Sequence, residues 1–324
     1  MIPRAQGFAL GYHSAPLQGA PGTNRMNNNA GYTPPKRVPG IFPFSFFVFR
    51  FPPTCTRHFS LFVFRFSFPP IMLSKAKIKQ IHALELKKHR DEQRAFVAEG
   101  SKTVTDLLGT FACQWIAALP EWFEAHASQL PTDCERIPTD RDTLSRASLL
   151  KSPPEVVALF RRPDDADLRL ANPTHEWVIA LDGVQDPGNL GTIIRTADWF
   201  GFTQLVCSPD TADAFGPKAI QSAMGSTARV RVYYTDLPHF IRRHPDAQTY
   251  GTFADGLALY DAPPATAGLL VMGSEGRGIR PDVATLITRR IGIPRYPTDR
   301  RGAESLNVAI STAIICAELR RRTR

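Results

Sequence analysis

The sequence predicts an α/β protein, a parallel sheet with helices on both faces preceded by a small α/β domain. Three observations predict it. From residue 177 onward, short apolar runs alternate with amphipathic stretches in repeated strand–helix units. The same alternation, in shorter units, fills residues 72–165. Between them RRPDDADLRLANPTHE (161–176) is polar and bears two prolines, so a linker is expected at 166–176 and the second domain at 177–324.

The elements follow in order. Residues 74–95 read as one amphipathic basic helix capped by Ser74, with Ile78, Ile81 and Leu84 on one side and Lys75, Lys77, Lys79, Lys87, Lys88 and Arg90 around it. That charge run fits a solvated face and an RNA-contacting face equally well. FVAEG (96–100) reads as a strand and 101–109 as a helix. FACQWIAAL, EWFEAHASQL, DRDTLSRASLL and PPEVVALFRR continue the alternation. In the second domain WVIALD (177–182), TQLVC (203–207), ARVRVYY (228–234), TYGTFA (249–254), GLLVMG (268–273) and RIGIP (290–294) read as strands. NLGTIIRTADWF (189–200), PKAIQSAMG (217–225), LPHFIRRH, PDVATLITR and SLNVAISTAIICAELRRR (305–322) read as helices. The last has a nearly unbroken apolar stretch at 308–317, too short for a bilayer, so it packs between layers or into a second subunit.

Residues 1–71 differ from all that follows. They hold 12 of the 21 Phe and 11 of the 28 Pro, and nearly repeat FFVFRF (46–51) as LFVFRF (61–66). They read as an over-extended start upstream of an initiator at Met72, ahead of two alternatives, a targeting peptide and a disordered extension. They also account for most of the net charge of +9, because they carry seven basic residues and no acid. The remainder is nearly neutral, so an argument for nucleic acid must rest on local patches. Five cysteines include no CxxC pair and are expected to stand alone in a reducing, cytoplasmic setting, without a zinc site. No 18-residue uncharged apolar run is present.

In open parallel sheets, ligands bind beyond the C-terminal ends of the strands. Three loops there are chemically unusual: DGVQDPGNLG (182–191), GSEGRGI (273–279) and IPRYPTDRRGAESLN (293–307). Nucleotide fingerprints fail on them. Gly273, Gly276 and Gly278 read GxxGxG rather than GxGxxG, there is no GK[ST], and Glu275 would repel phosphate. Taken singly, each residue has an ordinary explanation. Asn189 and Ser305 are placed to cap helices, Arg195 to lie on a helix surface, Glu275 to occupy a turn. Together they share the C-terminal edge of one sheet.

DPGNLGTIIRTADWFG (186–201), MGSEGRGI (272–279) and ESLNVAISTAI (304–314), in this order and spacing, resemble the three motifs of the SpoU/TrmH-type RNA 2'-O-ribose methyltransferases of the SPOUT class. The resemblance covers about residues 172–324, and 72–165 resembles the family's substrate-binding domain. It implies a C-terminal trefoil knot that binds S-adenosyl-L-methionine, a homodimer with sites at the subunit interface, and no metal. It implies catalytic roles for Arg195, Asn189, Glu275, Ser305 and Asn307. The backbone of Gly273, Gly276, Ile293 and Leu306 would grip the cofactor, and Arg195 and Lys218 would contact RNA phosphate or ribose. A guanidinium keeps its proton at physiological pH, so Arg195 is expected to hold substrate rather than act as base. One departure concerns the third loop. Arg295 and Tyr296 follow Ile293-Pro294, and PTDRRGAE lengthens the link to Ser305-Leu306-Asn307. The implied substrate is 23S-type ribosomal RNA, with tRNA second. Two other readings stay open: a non-catalytic RNA-binding or ribosome-assembly protein of the same fold, and a base methyltransferase.

Overall fold

A computed structural model describes residues 73–164, 168–263, 265–297 and 303–322. The expectations for residues 1–71 fall outside them, as do residues 298–302 of the lengthened loop.

The first sheet is built from α1 (Lys75–Ala83), α2 (Lys87–Gln93), β1 (Ala95–Glu99), α3 (Ser101–Leu107), β2 (Cys113–Ala118), α4 (Pro120–Ala125), β3 (Glu135–Pro138), α5 (Arg141–Ala147) and β4 (Val156–Arg161). Its order is β1-β4-β2-β3, mixed, with only β2 and β3 parallel. The expected long first helix is two. Ser74 caps α1 as its sequence suggests, accepting from Lys77 N at 3.3 Å. The chain then breaks because the buried Arg90 guanidinium takes the carbonyls of Leu84 and Glu85 at 2.7 and 2.8 Å, which a continuous helix would hold internally. The cysteines do not all stand alone: Cys113 and Cys134, both buried, place their Sγ atoms 3.0 Å apart as free thiols. The pairing of β2 with β3 brings them together, which a spacing of 21 residues does not reveal.

The second sheet follows as β5 (Trp177–Asp182), α6 (Pro187–Trp199), β6 (Gln204–Cys207), α7 (Pro217–Ala223), β7 (Arg231–Tyr234), α8 (Leu237–Arg242), β8 (Thr249–Ala258), β9 (Gly268–Gly273), α9 (Pro281–Ala284), β10 (Arg289–Gly292) and α10 (Val308–Arg322). All its pairings are parallel, in the order β10-β8-β9-β5-β6-β7. Alternation along β5 shows why a buried parallel strand is apolar throughout. Trp177, Ile179 and Leu181 face a core with Leu190, Ile193, Ile194 and Ala197 of α6 and Ile315, Cys316 and Leu319 of α10. Val178 and Ala180 face the opposite core with Leu237, Phe240 and Ile241 of α8 and Val283 of α9. Helix α9 is four residues rather than the nine its sequence suggests. Thr288 ends it by donating its N–H to Thr249 O at 3.0 Å, while its hydroxyl accepts from Thr249 N at 2.9 Å, drawing the chain into β10.

Both sheets lie in one compact unit, and the contacts between them are buried. Phe215, from the loop before α7, reaches the first core and packs tilted against Phe96 with ring centroids 5.0 Å apart, with the Arg162 guanidinium 5.4 Å from its ring centroid. Arg90 donates to Asp213 at 2.8 Å with both side chains almost wholly buried. Arg162, in the polar stretch before the expected linker, is tied to Asp91 and to Arg94 O. The small domain is therefore docked against the larger one, not strung from it.

Candidate active site

Strands β5 and β9 pair in register so that Asp182 lies beside Gly273. The loops leaving them start side by side. After β9 the chain turns back at once: Ser274 N donates to Gly278 O at 3.1 Å and Gly278 N to Ser274 O at 2.8 Å. This turn explains two of its glycines. A Cβ on Gly273 would sit 2.2 Å from the carbonyl carbon of Gly278, and Gly278 has φ +66°. The close approach at Gly273 is thus made by the loop's own returning chain. Gly276 differs, with nothing within 4 Å of where its Cβ would be. The turn is locked where it ends, because Arg280 donates its N–H and its Nε to the buried Asp182 carboxylate, each at 2.7 Å.

Glu275 is carried at the tip. It is exposed, and its Oε1 accepts from Asn189 Nδ2 at 3.0 Å, Asn307 Nδ2 at 2.6 Å and Val308 N at 3.3 Å. Asn307 Nδ2 also donates to Asn189 Oδ1 at 3.0 Å. One residue from each of the three unusual loops therefore meets at one point. The network fixes its own amide orientations: Asn307 Oδ1 accepts from Ala309 N at 3.0 Å and Ile310 N at 3.2 Å, so a flip would set donor against donor. Glu275 Oε2 engages no group among the described residues, which leaves it a spare acceptor on an exposed side chain.

The capping roles differ from those the sequence suggested. Asp186, not Asn189, caps α6, accepting from Asn189 N at 2.8 Å. This frees the Asn189 side chain for Glu275. Asn307, not Ser305, caps α10, which starts at Val308 rather than at 305. Ser305 is exposed and joins no hydrogen bond among the described residues. Lys218, at the start of α7, donates to Asp186 at 2.5 Å. Its ammonium first, and the Asn189 N–H after it, hold the Asp186 carboxyl below the usual carboxylate range.

Arg195 does not join the cluster within this chain. It lies on α6 six residues past Asn189, about 120° around the helix and about 9 Å along it. It is exposed and makes no hydrogen bond or ion pair among the described residues. Thr192 and Trp199 share its face, and Trp199 is 84% exposed. Of the remaining expected residues, Ile293 packs half-buried against the core at the end of β10, and Leu306 is 48% exposed. Among the described residues no hydrogen bond engages the main chain of Gly276, Ile293 or Leu306. The stem of the lengthened loop is closed by Arg295 Nη2 donating to Glu304 O at 2.8 Å. Sequence reasoning missed Asp182, Asp186 and Arg280. A signal existed for Asp182, an acid at the end of an apolar strand, since such an acid needs a cation; its partner 98 residues away carried none.

Two family models match the chain, the SpoU rRNA Methylase family over residues 176–317 and the MRM3-like substrate binding domain over 75–158. The 23S rRNA (guanosine(2553)-2'-O)-methyltransferase RlmP of Bacillus subtilis is 31% identical over 75% of this chain and 96% of its own length. Among solved structures, a Porphyromonas gingivalis chain assigned to the TrmH family of RNA methyltransferases superposes with TM-score 0.69 at 38% identity, covering 78% of this chain and 99% of its own. An AdoMet-bound rRNA methyltransferase from Sinorhizobium meliloti gives 0.68 at 32% identity, covering 77% and 95%. With an Asn–Glu–Asn cluster drawn from three loops at one sheet edge, and relatives matched over nearly their whole lengths, this chain belongs to the SpoU rRNA methylase family.

Proposed function

We propose that this protein transfers a methyl group from S-adenosyl-L-methionine to a ribose 2'-hydroxyl of structured RNA, with 23S-type ribosomal RNA the first candidate and tRNA the second. The observation that carries the reading is the meeting of Asn189, Glu275 and Asn307. The relatives' names point the same way, since the B. subtilis protein is a 23S rRNA 2'-O-methyltransferase and the S. meliloti structure is AdoMet-bound. The residues present fit such a cofactor. Gly276 leaves open space, and the unengaged main chain of Gly276, Ile293 and Leu306 offers donors and acceptors for a polar ligand. When bound, the cofactor supplies an electrophilic methyl on a sulfonium.

The rest is positioning by this chain. The two amides hold Glu275 Oε1, which leaves Oε2 to accept from a ribose hydroxyl. The α10 cap fixes Asn307 beside Glu275, and the exposed Ser305 two residues earlier is assigned to the polar wall around the transferred methyl. Lys218 and Arg195 hold phosphate, and Arg195 keeps its proton. Because Arg195 stands about 120° from Asn189, on the face it shares with Trp199, we assign it to the cluster of a second copy in a homodimer. The exposed Ile310 of α10 suits the same interface. A C-terminal knot is part of the proposal: the chain returning from edge strand β10 passes Glu275 before α10 docks on α6, with Arg320 donating to Phe200 O and Gly201 O. The free thiols suit a cytoplasmic site of action. Among the described residues no helix is long and apolar enough to cross a membrane, and no His, Cys, Asp and Glu cluster is arranged for a metal.

Mapping 2'-O-methyl sites in total RNA with and without the gene tests the reaction. Loss at one site supports it and names the substrate; no loss anywhere favours a non-catalytic binder. Arg195→Ala should abolish transfer while cofactor binding persists, and full activity would refute its role. Mixing the Arg195→Ala and Asn307→Ala proteins should restore partial activity if Arg195 acts across the interface, and none if it acts within one chain.

A further inference from the structure

We infer that the cleft between the two domains takes the RNA strand flanking the methylated nucleotide, with Lys87 and Lys151 holding its phosphates. This rests on the RNA-modifying function proposed above. The cleft is open and encloses about 770 Å³, ample for a nucleotide and part of its neighbour. One part of its wall is Gln185 and Pro187, from the loop that leads into α6 and Asn189. A strand lying there is continuous with the proposed site of transfer. Another part comes from the small domain, with Lys87 at the start of α2 and Leu150 and Lys151 after α5. The buried Arg90–Asp213 pair fixes these walls relative to each other.

Charge identifies the occupant. Three acids line the cleft. Asp213 accepts from Arg90 and Glu99 from Ser148 Oγ and Leu149 N, while Glu85 is exposed, lies 3.5 Å from His82 Nδ1 and meets no Lys or Arg within salt-bridge distance among the described residues. Lys218, bonded to Asp186, is already assigned to the phosphate at the site of transfer. Lys87 and Lys151 meet no carboxylate within salt-bridge distance among the described residues; the Lys87 ammonium only overlies the Tyr234 ring at 5.9 Å. Two ammonium groups without a carboxylate partner therefore flank a trough lined by Leu150 and Pro187 with the amides of Gln185 and Gln221. Ammonium groups for phosphates, apolar patches for base faces and amides for base edges match single-stranded RNA. The basic face expected for residues 74–95 is thereby narrowed, because Lys77 is bonded to Glu135 and Arg90 is buried.

The test is anisotropy of a short fluorescein-labelled single-stranded RNA of mixed sequence, titrated with the full chain at several salt concentrations. Methyl transfer to total RNA and calorimetric S-adenosyl-L-methionine binding are run in parallel. Lys87→Glu and Lys151→Glu should each weaken RNA binding about fivefold and lower the salt slope by about 0.7, with cofactor binding and thermal midpoint unchanged. Lys88→Glu makes the same charge change outside the cleft, where Lys88 lies 3.9 Å from Glu92, and should cost less than about twofold. Gln221→Trp narrows the cleft without changing charge and should also weaken RNA binding. Unchanged affinity in both Lys87→Glu and Lys151→Glu overturns the inference, as does an equal loss in Lys88→Glu. Wild-type methylation beside unaffected lysine variants refutes the cleft and leaves the enzyme standing. Lysine effects in a protein that never methylates refute the enzyme and leave the cleft.

Discussion

Two carboxylates leave adjacent strands of the same sheet and are treated in opposite ways. Asp182, at the end of β5, is buried and saturated by the Arg280 N–H and guanidinium. Glu275, two residues past the end of β9, is exposed, meets no cation within salt-bridge distance among the described residues, and is held through one oxygen by two neutral amides and a backbone N–H. Burial makes a cation obligatory for the first, since an unpaired charge there would be prohibitive. The second can be left with one oxygen unused because it is exposed to water. An acid matched to a cation holds a loop in place; an acid held by amides presents an acceptor. The two are coupled, because the loop that Asp182 locks is the loop that carries Glu275.

The largest effect should come from Glu275→Ala. Turnover should fall on the order of 100-fold, about 2.7 kcal/mol of barrier, while the thermal midpoint barely moves; a large loss of stability would place Glu275 with Asp182 as structural. Asp182→Ala should invert that pattern, costing about 2 kcal/mol in denaturant unfolding because Arg280 loses both its partner oxygens. Its activity loss should follow from the loosened 273–279 loop, visible as a raised KM for S-adenosyl-L-methionine. Asn307→Ala joins both classes. It should cost about 1 kcal/mol for the lost α10 cap and lower turnover, with the chain still folded by circular dichroism. The smallest effect belongs to the other domain. Burial raises the Glu99 carboxyl above the usual range, against the opposing hydrogen bonds from Ser148 and Leu149. The folded chain then holds this proton to higher pH than the unfolded chain does. Its contribution is fully present below the ordinary glutamate range and declines as pH rises through the raised value. Thermal midpoints measured against pH should show that decline in the natural chain and lose it in Glu99→Gln; equal slopes would remove Glu99 as its source.

Much of this was legible in the sequence, for identifiable reasons. Strand and helix order in the second domain followed from apolar runs punctuated by Gly and Pro, and GLLVMG became β9 as expected because a strand buried on both faces has no polar position to blur its limits. The three loops stood out because their residues serve neither core nor turn alone. The caps were misassigned by two or three residues. Asp186 and Asn189 both have side chains that can cap, as do Ser305 and Asn307, and only the observed helix starts at Pro187 and Val308 separate them. The break between α1 and α2 was hidden because its cause, Arg90 bonded to Leu84 O and Glu85 O, depends on Asp213 in another domain.

By itself, the sequence determined the α/β class, the succession of elements, the neutral balance of the chain after residue 71 and the three motifs that mark the family. These depend on local periodicity and on residue chemistry at short spacing. Only the tertiary structure decided that Asn189, Glu275 and Asn307 meet while Arg195 faces elsewhere, that Arg280 belongs to Asp182, that Cys113 lies against Cys134, and that the two domains are docked by Phe215 and Arg90. The physical reason is range. Hydrogen bonds and ion pairs act over a few ångströms, and the chain brings distant residues within that reach only after strand order and register are set.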